Sequence, residues 1–143
     1  MFMGEFSHAV DAKGRIIMPA RFREELGDCF VLTVGIDGCL TAYPTEAWKS
    51  FIEKLMALPS SNKSVRQLQR FFMSNANECE FDKQGRVLLP AKLRNAAKID
   101  KEVTFIGMKD KIEIWDSTKC SDEETFSGVE EASEEMSKLG LSF

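Results

Sequence analysis

An α+β fold made of two pseudo-symmetric halves is predicted by three observations. The stretch Asp11-Ala12-Lys13-Gly14-Arg15-Ile16-Ile17-Met18-Pro19-Ala20-Arg21-Phe22-Arg23 returns as Asp82-Lys83-Gln84-Gly85-Arg86-Val87-Leu88-Leu89-Pro90-Ala91-Lys92-Leu93-Arg94. Six identities (Asp11/Asp82, Gly14/Gly85, Arg15/Arg86, Pro19/Pro90, Ala20/Ala91 and Arg23/Arg94) share one offset of 71, which reads as an internal duplication. Each copy reads strand, turn, strand, helix and is followed by a hairpin-like pair of runs, while two stretches of helical periodicity lie between the copies.

The local chemistry of each copy specifies a turn. The carboxylate of Asp11 or Asp82 can accept hydrogen bonds from backbone N–H groups just ahead of it. Gly14 and Gly85, three residues on, supply the positive φ that ends a type I turn with a bulge. Arg15 or Arg86 then opens an apolar strand, and Pro19 or Pro90 sets φ for the first turn of a helix.

In chain order, residues 5–10 alternate loosely as a first strand, 15–18 form the second, and 20–26 a short helix stopped by Gly27. Residues 30–36 read as a strand, Asp37-Gly38 as a hairpin turn and 39–43 as the returning strand. Pro44-Thr45 launches a helix with Ala47, Trp48, Phe51, Ile52, Leu55 and Met56 on one face. After the break at Pro59-Ser60-Ser61-Asn62, residues 63–74 place Val65, Leu68, Phe71 and Phe72 on the apolar face of a second helix, giving a helical hairpin. The second copy supplies strands 77–81 and 86–89, helix 91–97, and a hairpin of 103–108 with 111–115. There the offset slips to 72, with Gly35 corresponding to Gly107 and Tyr43 to Trp115. Beyond Asp116, a charged helix start at Ser117, Asp122, Glu123 and Glu124 precedes a thin apolar stripe of Phe126, Val129, Met136, Leu139 and Leu141, the pattern of an exposed helix or a partly disordered tail.

Charge is unevenly spread. The net charge of −4 comes from residues 116–143, where eight acids meet two lysines, while 1–115 hold 17 bases against 15 acids. Residues 8–23 carry +3 and residues 79–94 carry +2, so the duplicated stretches are locally basic, and local field decides what a face attracts. No apolar run reaches the roughly 18–20 residues of a membrane span, and residues 1–5 lack the layout of a signal peptide, so a cytoplasmic protein without a membrane partner is expected. Cys29, Cys39, Cys79 and Cys120 lack paired metal-ligand spacing and read as isolated reduced thiols in or near the core.

His8, the one histidine, has no nucleophile or carboxylate at catalytic spacing, and no phosphate-cradling glycine loop is present. The expectation is a protein that is not an enzyme and has no cofactor, metal or small-molecule substrate. Arg15 and Arg86 are the leading candidates for DNA contact, since guanidinium bonds a guanine edge or a phosphate bidentately. The competing reading pairs each with its own turn aspartate. Asp11, Gly14, Asp82 and Gly85 are expected to shape the turns. Lys13 and Lys83 are candidate phosphate contacts at unequal positions, because Gln84 stands where Lys13 does in the first copy. Arg21, Arg23, Lys92 and Arg94 lie on the short helices and stay unassigned between packing and flanking DNA.

Paired Asp-x-x-x-Arg motifs, each followed by an apolar strand and Pro-Ala, resemble the MraZ transcriptional regulators; Met1-Phe2-Met3-Gly4, Tyr43-Pro44 and Ile114-Trp115-Asp116 fit the same pattern. The resemblance covers nearly the whole chain. It implies a double-split β-barrel built from two interleaved AbrB-like (SpoVT-AbrB) halves, with a helical hairpin between them and a C-terminal helix or tail. The division would be 5–47 and 76–119 for the two repeats, 48–75 for the amphipathic helices, and 120–143 for an acidic helical or disordered tail. It implies sequence-specific binding of double-stranded DNA in the cytoplasm at the nucleoid, upstream of a bacterial cell-division and cell-wall gene cluster, by a ring-shaped homo-oligomer. A ring presents its turns in one direction, so short direct repeats are the expected target. The alternative is an AbrB-like, antitoxin-like protein-interaction module whose main partner is not DNA.

Overall fold

The computed structural model describes residues 1–121 and 126–142. β1 (Glu5–Ala9) runs into the first repeated turn, and β2 (Arg15–Ile17) leaves it for α1 (Ala20–Leu26). β3 (Cys29–Val34) and β4 (Leu40–Pro44) form a hairpin, followed by α2 (Thr45–Met56) and α3 (Lys63–Ser74). The second half repeats the series as β5 (Asn77–Glu80), β6 (Arg86–Leu88), α4 (Ala91–Ala96), β7 (Glu102–Gly107) and β8 (Ile112–Asp116). A 3₁₀ turn (Ser117–Ser121) and an exposed helix α5 (Val129–Lys138) follow, while the helix start expected at Asp122, Glu123 and Glu124 lies outside the described residues.

Helix starts follow their residues. Pro19, Pro44 and Pro90 precede α1, α2 and α4 in extended conformation, with φ already near the helical value. Asn62 caps α3, its side-chain oxygen accepting from the N–H groups of Ser64 and Val65. No described helix is long and apolar enough to cross a membrane.

Six strands form one antiparallel sheet in the order β1-β7-β8-β4-β3-β5, and β2 pairs with β6 as a separate two-stranded ribbon; neither sheet closes on itself. Exchanging the halves (β1 with β5, β2 with β6, β3 with β7, β4 with β8) returns the same order, so the chain has an approximate twofold axis. The halves are interleaved. The first strand of each lies on the other's hairpin, β1 along β7 and β5 along β3. The axis passes through the ribbon, where Ile16 faces its own counterpart Val87, and through the β4–β8 pair, where Thr41 faces Glu113.

The register corrects one expected correspondence. His8 faces Val103, and its counterpart Cys79 faces Phe30, so Val103 answers to Phe30 at an offset of 73 (30 to 103). Tyr43 still corresponds to Trp115 at 72, but Gly35 does not correspond to Gly107. The connection from α4 to β7 is longer than that from α1 to β3, and the β7–β8 loop is one residue shorter than the β3–β4 loop. Gly107 instead makes room for the N-terminal segment: a Cβ there would overlap the backbone of Met3.

The core lies between the six-stranded sheet and the layer made by the β2–β6 ribbon with α1 and α4. Ile16, Met18, Phe22 and Leu26 enter it from the first half, Val87, Leu89 and Leu93 from the second, and Leu32, Leu40, Phe105, Ile112 and Ile114 from the sheet. Each such side chain contributes roughly 1.5–3 kcal/mol on full burial. Tyr43 on β4 stacks on Phe51 at 5.6 Å between centroids and Phe51 meets Phe72 edge-on, which seats the helical hairpin on the sheet. Cys39 and Cys79 are buried, and burial pushes their thiols up to about 12 and about 11. Cys29 departs from the core reading: it is exposed, at the start of β3, with Sγ 3.7 Å from a Glu80 carboxylate oxygen.

The interleaving explains two of the six repeated identities together. Gly14 and Gly85 have φ of 81° and 76°, and each lies under an arginine from the opposite half. A Cβ on Gly14 would overlap the guanidinium of Arg94, and one on Gly85 that of Arg23. Arg23 Nη1 also donates to the carbonyls of Met18 at 3.2 Å and Gly85 at 3.5 Å. Arg23 and Arg94 are therefore packing groups that tie each turn to the other half, whereas Arg21 and Lys92 are exposed. Gly14→Ala or Gly85→Ala is expected to cost about 1–3 kcal/mol each through left-handed strain, with the arginine displaced as well. Urea denaturation measures this; wild-type stability in both variants would contradict the tie.

Candidate nucleic-acid interface

Both turns have the same construction. The Asp11 N–H donates to the Arg15 carbonyl at 2.9 Å and the Gly14 N–H to the Asp11 carbonyl at 3.0 Å; the Asp82 turn repeats both distances. Oδ1 of Asp11 accepts from the N–H groups of Lys13 and Arg15, and Oδ1 of Asp82 from those of Gln84 and Arg86, all at 2.9 Å. Oδ2 takes the Nε of Arg15 or Arg86 at 2.7 Å. Each aspartate thus closes its turn with one oxygen and aims its arginine with the other. The Nε edge is occupied, and among the described residues no hydrogen bond engages the terminal nitrogens of Arg15 or Arg86.

The backbone N–H bonds from Arg15 and Arg86, reinforced by their side chains and by the N–H of Lys13 or Gln84, hold both carboxyls below the ordinary 3.8 despite partial desolvation acting the other way. A carboxylate with a depressed folded-state pKa stabilises the fold above its unfolded value and loses that contribution as pH falls through the lowered one. The turns are therefore expected to keep their structure from pH 8 down to about 4 and to loosen only below 3.8. Amide chemical shifts of Gly14 and Gly85 during an acid titration check this; a transition near pH 6 would contradict it.

The two arginines share one surface. Arg15 pairs with Leu88 and Ile17 with Arg86 across the ribbon, while Ile16 and Val87 point into the core. Directly opposed residues lie on one face, so Arg15, Ile17, Arg86 and Leu88 make up the outer face. Arg15 and Arg86 are offset by two residues along the ribbon, about 7 Å at 3.3 Å per residue. Lys13 and Lys83 are exposed in the turns at its opposite ends. Ile17 and Leu88, 44% and 57% exposed, were not among the candidates from the sequence. Their signal was present: both copies carry an apolar residue two places beyond the motif arginine.

The cleft of about 710 Å³ beside the second turn does not extend this surface. Glu24, Asp28, Glu80 and Asp82 outnumber Arg23 and Lys83 along it, a balance that repels phosphate. His8 stands on β1 with its ring 6.3 Å from that of Phe105. Among the described residues no group of three or more His, Cys, Asp or Glu is arranged to hold a metal ion.

Fold and surface define a duplicated protein whose interleaved halves contribute equally to one exposed basic and aliphatic ribbon. The family model described as "MraZ protein, putative antitoxin-like" matches residues 1–71 and again 72–137, once per half. A protein named transcriptional regulator MraZ from Lachnoclostridium phytofermentans is 52% identical over 143 residues, covering 100% of both chains. One of the same name from Heliobacterium modesticaldum is 51% identical over 143 residues, 99% of this chain and 100% of its own. The chain belongs to the MraZ family.

Proposed function

We propose that this chain is a sequence-specific DNA-binding transcriptional regulator that lays the β2–β6 ribbon into the major groove. The observation that carries the reading is the outer face of that ribbon. A two-stranded β-ribbon fits the major groove, guanidinium groups bond guanine edges or phosphates, and aliphatic side chains contact thymine methyls. Arg15 and Arg86 fill the first role, Ile17 and Leu88 the second, and Lys13 and Lys83 hold phosphates at the two ends. The names of the relatives support regulation of transcription. We take its site of action to be the bacterial cytoplasm at the nucleoid, upstream of a cell-division and cell-wall gene cluster, and its role to be without catalysis, as the resemblance of the paired Asp-x-x-x-Arg motifs implies.

The fold reading attached to this is a double-split β-barrel, supported by a ribbon that bridges strands at opposite edges of the six-stranded sheet. One chain offers one ribbon and so engages one short site. Selective binding then calls for several chains side by side, as a ring-shaped homo-oligomer on direct repeats. A gel shift with duplex from upstream of the gene, beside a scrambled duplex, tests the function. Selective retention is expected, with log affinity falling against log salt at about −0.9 per phosphate engaged. Equal affinity for the two duplexes overturns it. The words "antitoxin-like" in the family description favour a second reading, a module that binds a partner protein; it predicts negligible affinity for either duplex.

A further inference from the structure

We propose that α5 of one chain docks into a basic, methionine-lined groove on the helical hairpin of a second copy. The groove, about 310 Å³, runs along α3 beside the end of α2 and is lined by Met56, Ser60, Arg66, Gln69, Arg70 and Met73. Arg66, Gln69, Arg70 and Met73 recur at spacings of three and four, so they share one face of α3. That helix carries Lys63, Arg66 and Arg70 and no acid, a net +3, and Met73 is 47% exposed beside them.

α5 is the complement. It carries Glu130, Glu131, Glu134 and Glu135 against Lys138, a net −3. Val129, Ala132, Met136 and Leu139 fall at helical spacing on a narrow stripe, with Val129 73% and Leu139 78% exposed. Side-chain hydrogen bonds from Ser133 to Glu130, Ser137 to Glu134 and Lys138 to Glu135 run within the helix. The acidic face and largely exposed apolar stripe of α5 and the basic, methionine-lined groove on α3 are matched in charge and in apolar content. The geometry is helix-in-groove recognition. Each chain gives one helix and receives one, so the contact is heterologous and propagates until it closes. It gives the proposed homo-oligomer a specific surface, and it does not depend on DNA binding.

Light scattering across a dilution series, without DNA, tests the contact. Lys63→Glu/Arg70→Glu and Glu131→Lys/Glu135→Lys each place like charges across it. Each is expected to raise the concentration at which the assembly half-dissociates by on the order of tenfold or more. The two pairs of changes in one chain are expected to restore assembly. The altered residues lie on exposed faces, and an unchanged circular dichroism spectrum confirms the fold. To separate copies, Met73→Cys and Met136→Cys are placed in separate chains that also carry Cys29→Ser and Cys120→Ser. Mixing them under mild oxidation is expected to give a cross-linked dimer that neither forms alone. A monomeric wild-type chain, an unchanged midpoint in both reversals, no recovery on combining them, or no cross-link between the mixed chains overturns the proposal. DNA is absent throughout, so these failures leave the contact of the ribbon with DNA standing, and only a monomeric wild-type chain also removes the ring from the proposed function. Loss of DNA binding in an assembled Arg15→Ala chain would leave this contact standing.

Discussion

Arg15→Ala/Arg86→Ala is expected to abolish selective DNA binding while leaving the fold intact. Each arginine that reads a base edge contributes about 1–3 kcal/mol, so the pair together separates operator from random duplex by roughly two to six. The effect should fall on discrimination first. Removing a base reader at both positions brings operator affinity down to that of random duplex, whereas removing a phosphate-binding group lowers both affinities together. The single variants should resemble each other, because the twofold axis places the two arginines equivalently and each aspartate holds its arginine at the same 2.7 Å. Lys13 and Lys83 break that equivalence, so alanine there should lower affinity unequally and reduce the salt slope by about one each. Fluorescence anisotropy on operator and random duplexes measures all of this. Unchanged affinity in the double variant would remove the ribbon from the interface.

The second large effect concerns the operator. If several chains present parallel ribbons, moving one repeat by half a helical turn places its groove on the wrong side of the duplex. Repeats about 10 bp apart should then bind about 10²–10⁴-fold tighter than the same repeats shifted by about 5 bp, because linked sites gain effective concentration only when geometry permits simultaneous engagement. Binding indifferent to phase and repeat number would show each chain acting alone.

Much of this was legible in the sequence because the informative residues act locally. Asp, Gly and Arg within five positions specify a turn through a carboxylate, a positive φ and an emerging strand, and the duplication shows that turn twice. The helical hairpin was legible from spacing, and residues 63–74 coincide with α3. Strand order was not. β1 pairs with β7, whose residues are about 97 positions away, and no local pattern says that the first strand of one half belongs to the hairpin of the other. The same swap hid the role of Arg23 and Arg94. Their identity at the offset of the glycines was visible, but each lies over the glycine of the opposite half. Ile17 and Leu88 were missed because a three-residue apolar run does not reveal which alternate positions face outward. Only the pairing of β2 with β6 turns them onto the face of the arginines.

Amide hydrogen exchange of the assembled protein with and without the upstream duplex tests the central claim most directly, since it maps the bound surface without altering a residue. The account predicts added protection confined to residues 13–17 and 83–88, present in both halves, with the helical hairpin and α5 unchanged by DNA. Protection centred on α2 and α3, or on neither repeat, would contradict it.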